Sequence, residues 1–79
     1  MPRKAYVQVT AVFDIDGTII PECIFWEDGT VYNIDRVVSV CRAASLKAGG
    51  DGVRYTCKIG NNLTYLFLDN NRWFVEAKA

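Results

Sequence analysis

At 79 residues the chain makes one small domain, and a chain of that length buries only roughly 60–65% of its unfolded surface. Nine basic residues balance nine acidic ones, so no overall field draws it to nucleic acid, to an anionic membrane or to an acidic substrate, and any such attraction has to be local. There is no histidine, which removes the common general base, and the three widely spaced cysteines, Cys23, Cys41 and Cys57, suit neither a disulfide framework nor a Cys-x-x-Cys zinc site.

From Tyr6 to Ile15 the odd positions Val7, Val9, Ala11, Phe13 and Ile15 are apolar and Gln8, Thr10 and Asp14 are polar, which is the period-2 pattern of a half-buried strand. Asp16-Gly17 turns the chain back into Thr18-Ile19-Ile20, and Pro21, which lacks a ladder donor, marks an edge or a bend. Cys23 to Trp26 carries that second strand into the strongest hairpin signal of the sequence, the Asp28-Gly29 turn between two β-rich runs. A three-residue loop of Glu27, Asp28 and Gly29, with Gly29 left-handed, puts Ile24 and Trp26 on one face with Tyr32 and Ile34. A two-residue loop would set Ile24 against Asn33 and bury a polar side chain, so the longer loop with a glycine bulge is expected.

Arg36 to Ala48 has a helical reading, with Asp35 as cap and Gly49 as stop, but the β-branched Val37, Val38 and Val40 favour extended chain. The expectation is a strand to about Arg42, a loop or single helical turn over 43–48, and a break at Gly49-Gly50-Asp51-Gly52. A meander follows. Val53, Tyr55, Cys57 and Ile59 alternate with polar residues, Gly60-Asn61-Asn62 turns, Leu63 to Leu68 is nearly all apolar, with the continuous run Leu66-Phe67-Leu68 pointing to a strand covered on both sides, Asp69-Asn70-Asn71 turns, and Trp73, Val75 and Ala77 alternate. The fold class read from this pattern is all-β, a small antiparallel barrel or roll of about six strands over residues 1–79, with Trp26 in its core.

Three stretches carry chemistry-bearing residues. Val12-Phe13-Asp14-Ile15-Asp16-Gly17-Thr18-Ile19 resembles the Asp-x-Asp-Gly-Thr signature of haloacid dehalogenase-like phosphatases. The resemblance implies Asp14 as nucleophile, Asp16 as general acid and base, and a magnesium ion beside them. It spans eight residues, and that family's doubly wound parallel sheet needs crossovers for which this chain has no room, so a hairpin turn is the expected role of the Asp-Gly pair. The second stretch is the segment from Arg42 to Arg54. Its glycines expose backbone N–H groups while Arg42, Lys47 and Arg54 supply charge, which makes Arg42, Lys47, Gly49, Gly50 and Arg54 the candidate ligand-binding residues for a nucleic acid or another anion. The third is a set of aromatic and basic residues off the main alternating face, Tyr6, Phe25, Phe74 and Arg72, which could stack bases but more simply pack under a loop or against a second subunit.

The run Pro21-x-x-Ile24-x-Trp26-x-Asp28-Gly29-x-x-Tyr32-x-Ile34-x-Arg36-Val37, with Arg54-Tyr55-Thr56, Tyr65-Leu66-Phe67 and Arg72-Trp73-Phe74-Val75-Glu76, resembles small bacterial β-domains of unknown function. That resemblance covers most of the chain and implies the fold and a bacterial cytoplasmic setting without a mechanism. The resulting expectation is a non-enzymatic module with no cofactor or metal, reduced thiols packing as small hydrophobes, no membrane-spanning run, and a protein partner or a second copy of itself to bind.

Overall fold

A computed structural model of the chain describes residues 2–42 and 52–78, with side chains over 3–42 and 52–77. Its elements are β1 (Pro2–Tyr6), β2 (Gln8–Phe13), β3 (Ile19–Phe25), β4 (Val31–Asn33), β5 (Arg36–Arg42), β6 (Val53–Ile59), β7 (Asn62–Asp69) and β8 (Arg72–Lys78). They form two antiparallel sheets, one of five strands in the order β1-β8-β7-β6-β5 and one of three in the order β2-β3-β4.

The sheets share two extended runs. β1 and β2 are separated by Val7 alone, whose N–H donates to the Trp73 carbonyl at 3.0 Å, so one run pairs first with β8 and then with β3. β4 and β5 are joined in the same way through Ile34, whose N–H donates to the Glu22 carbonyl at 2.9 Å, and Asp35, whose N–H donates to the Lys58 carbonyl at 2.8 Å. Counting each shared run once reproduces the six strands expected from the sequence. The architecture is all-β and roll-like, not one closed ladder, because each shared run changes partner where it crosses from sheet to sheet. The segment 36–42 is strand, as its β-branched residues indicated. The loop or helical turn expected over 43–48 lies outside the described residues.

Both Asp-Gly turns adopt the three-residue form with the same geometry. Trp26 N–H donates to the Thr30 carbonyl (2.8 Å) and Gly29 N–H to the Trp26 carbonyl (3.0 Å); Asp14 N–H donates to the Thr18 carbonyl (2.8 Å) and Gly17 N–H to the Asp14 carbonyl (3.0 Å). Gly17 and Gly29 both lie at φ +89°, where L side chains are strained. The resulting register sets Ile24 opposite Tyr32, so the central hairpin forms as the polarity of Asn33 required. Pro21 lies opposite Ala11 next to a register shift, since Thr10 faces Cys23 and Glu22 is the extra residue of a bulge beside the proline that lacks a donor.

The core between the sheets holds Ala5, Ile24, Tyr55, Cys57, Leu66 and Val75, with Val9, Trp26, Ile34, Val37 and Trp73 packed around it. The Tyr55 hydroxyl donates to the Ile19 carbonyl at 2.9 Å, which satisfies its polar end and pins β3 to β6. β7 is covered on both sides at Leu66-Phe67-Leu68, as that run predicted: Leu66 is buried on the core face, and Phe67, on the other, stacks on Phe74 at 5.0 Å between centroids, while Leu63 and Tyr65 nearer the start of the strand stay exposed. One expectation is corrected at the outer end of the β2–β3 hairpin. Phe13 continues the inward face of β2, but the hairpin runs on past the core, leaving Phe13 76% exposed and Ile15 fully exposed in the turn. Period 2 says which face a residue shares, and what lies opposite that face is a tertiary matter.

Candidate functional site

β7 and β8 are joined by the two-residue turn Asn70-Asn71, whose φ values of 53° and 63° belong to the left-handed turn that suits tight hairpins. Their ladder contains Asp69↔Arg72, Leu68↔Trp73 and Phe67↔Phe74, and there it stops. β7 continues to Asn62 paired with β6, and β8 continues to Lys78 paired with β1. Each strand follows its outer partner, and since β1 bends into the second sheet at Val7, the two diverge into a fork.

Strand alternation fixes which backbone groups face the fork. The Trp73 carbonyl accepts from Val7, so odd-numbered β8 residues address β1 and the even-numbered Glu76 and Lys78 address β7. On β7, Leu63 and Tyr65 share the direction of Phe67, toward β8. Among the described residues these N–H and C=O groups have no ladder partner. A cleft of about 420 Å³ occupies the fork, within the size range of ligand sites. Ile24, Trp26 and Tyr32 of the second sheet form an apolar floor, Val75 and Ala77 one wall, Thr64 and Tyr65 the other, and Glu76 the rim. Trp26, expected in the core, is partly buried against it and lines this cleft.

The candidate residues read from the sequence fall elsewhere. Lys47, Gly49 and Gly50 lie outside the described residues. Arg42 and Arg54 are both described, but they are not register partners: Arg42 pairs with Val53 and Arg54 with Cys41, so the two arginines project from opposite faces of the sheet. The Arg54 guanidinium lies 4.6 Å from the centroid of the Tyr65 ring. Of the aromatic set, Tyr6, Phe74 and Arg72 do come together: Arg72 lies 3.7 Å from the Tyr6 ring centroid, and Tyr6 meets Phe74 edge-on at 5.7 Å. Phe74 is 1% exposed, so it packs and offers no free stacking surface. Phe25 stands on β3, in the other sheet.

Asp14 and Asp16 are exposed in the β2–β3 turn, and backbone donors engage both carboxylates: Asp14 Oδ1 accepts from Ile15 N–H at 2.8 Å and Asp16 Oδ1 from Thr18 N–H at 2.9 Å. The Thr18 bond holds the Asp16 carboxyl below its ordinary pKa, and Thr30 does the same for Asp28 in the twin turn. The three thiols differ: Cys57 is buried, Cys23 intermediate and Cys41 exposed, so packing as small hydrophobes holds for Cys57 and fails for Cys41. Burial pushes the Cys57 thiol up to about 11, which keeps it protonated and unreactive. Among the described residues no group of three or more Cys, Asp or Glu could hold a metal ion, and no helix is long and apolar enough to cross a membrane.

Searches against protein-family models, curated proteins and solved structures find no match to the chain. The fork was not visible in the sequence. Its walls read as two ordinary strands across an Asn-Asn turn, which ought to zip along their whole length, and only the competing pairings of β1 and β6 pull them apart.

Proposed function

We propose that the protein is a non-catalytic binding module that takes an extended peptide segment of a partner protein into the fork as an added strand between β7 and β8. The observation that carries it is the pair of facing, unpartnered strand edges above an apolar floor. An inserted strand would bond through its backbone to Tyr65 and Glu76 and lay alternate side chains on Ile24, Trp26 and Tyr32, the mode of recognition by strand addition. The three free thiols fit a reducing compartment for this work.

The test uses a capped pentapeptide alternating valine and serine, about 17 Å long when extended, as many residues as β7 has from Asn62 to Leu66 outside its ladder with β8. In a Trp73→Phe background Trp26 is the sole tryptophan, and its emission should shift as the peptide titrates. Amide exchange gives the second readout: the Leu63, Tyr65 and Glu76 amides should exchange rapidly in the free protein and slow down with peptide. If those amides are protected in the free protein as strongly as the rest of β7, the fork is closed in solution and the site does not exist.

A second reading, self-assembly, is favoured by the exposed apolar side chains of Val12, Phe13, Ile15 and Ile20 at the outer end of the β2–β3 hairpin. Its occupant would be a second copy of the chain. Sedimentation should then show a dimer that Phe13→Ser dissociates, and a wild-type monomer at high concentration would remove the idea.

A further inference from the structure

Two buried polar atoms among the described side chains, Arg54 Nε and Glu76 Oε2, have no hydrogen-bond partner, and Glu76 is also a lining residue of the fork. A carboxylate oxygen shut away from water without a donor is costly, and a donor that arrived with a ligand would relieve that cost. The nearest built-in candidate is elsewhere: Lys4 is the register partner of Glu76 on β1, but its ammonium lies over the Phe74 ring, 4.7 Å from the centroid. Of the other cations on this face, Arg54 lies against Tyr65 and Arg72 against Tyr6.

Resting on the strand-addition site proposed above, we infer that the fork selects a peptide with a lysine or arginine at the position that emerges beside Glu76. In an inserted strand, successive side chains alternate between the floor and the opposite face. Those directed at Ile24, Trp26 and Tyr32 must be apolar. The intervening one emerges between Tyr65 and Glu76, where a cation gives the orphaned Oε2 a charge-assisted donor. The partner is thus a segment of the pattern apolar-cationic-apolar, bound through its backbone and read out by one carboxylate.

The experiment compares two capped pentapeptides, identical but for lysine or glutamine at the central, outward position between two valines, on the wild type and on Glu76→Gln, by Trp26 emission in the Trp73→Phe background. On the wild type the lysine peptide should bind about tenfold more tightly, the scale of a hydrogen bond to a charged group. The preference should vanish on Glu76→Gln. Equal binding of the two peptides by the wild type would overturn the selectivity while leaving the strand site standing. A lysine preference that survives in Glu76→Gln would show that another group reads the cation. No binding of either peptide would remove both the selectivity and the site. Because the first comparison changes only the peptide, it does not depend on the variant folding.

Discussion

Replacing Gly29 with valine tests the turn that fixes the register of the central hairpin. A Cβ built at Gly29 meets nothing within 4 Å, so crowding adds nothing and the cost is that of holding a β-branched residue at φ +89°. Strain of that kind is worth about 1–3 kcal/mol. For a domain of this size each kcal/mol lowers the melting temperature by about 4–8 °C, so a cost near 2 kcal/mol moves it by about 8–16 °C. Gly17→Val is the internal control, since Gly17 has the same φ and the same two turn hydrogen bonds. Its hairpin end is solvent-exposed beyond the Tyr55–Ile19 bond and can open locally to relieve the strain, so the shift there should be less than half as large. Thermal unfolding followed by near-ultraviolet circular dichroism reads both variants. A Gly29→Val melt within about 2 °C of wild type would refute the turn geometry. Equal shifts for the two variants would refute local opening of the outer hairpin.

Leu66→Ala removes a side chain with no exposure from the centre of the core and should cost about 2–5 kcal/mol, measured by urea unfolding at constant m-value. The Cys57 thiol makes stability fall at alkaline pH: its folded pKa of about 11 lies above the ordinary 9.0, so its contribution is complete below about 9 and is lost as pH rises toward 11. Cys57→Ala should flatten that alkaline decline, and in the native wild type iodoacetamide should label Cys41 first and Cys57 only on unfolding. Asp14→Asn should leave magnesium-dependent hydrolysis of p-nitrophenyl phosphate at the buffer background shown by wild type; turnover in wild type that the substitution abolishes would make the protein a phosphatase and end the binding-module proposal.

Local chemistry determined most of the strands. Alternation at Val53-Tyr55-Cys57-Ile59, the Asp-Gly turns and the β-branched run Val37-Val38-Val40 specify extended chain whatever surrounds them, because side-chain direction and turn dihedrals depend on residues only a few positions apart. Even the register of the Ile24–Tyr32 hairpin was legible, since one alternative would have buried Asn33. The ends of ladders were not. Phe13 carries the inward pattern yet meets solvent because its hairpin outruns the core, and Arg42 and Arg54 close a short segment yet project from opposite faces. The fork shows the same limit at the candidate site: Tyr65 and Glu76 should pair across the Asn70-Asn71 turn by every local rule, and they do not, because β6 holds β7 while β1 carries β8 toward the second sheet. Sequence periodicity assigns each residue a face. Which strand edges remain open is decided by competition between partners far apart in the chain, and only the tertiary structure resolves that competition.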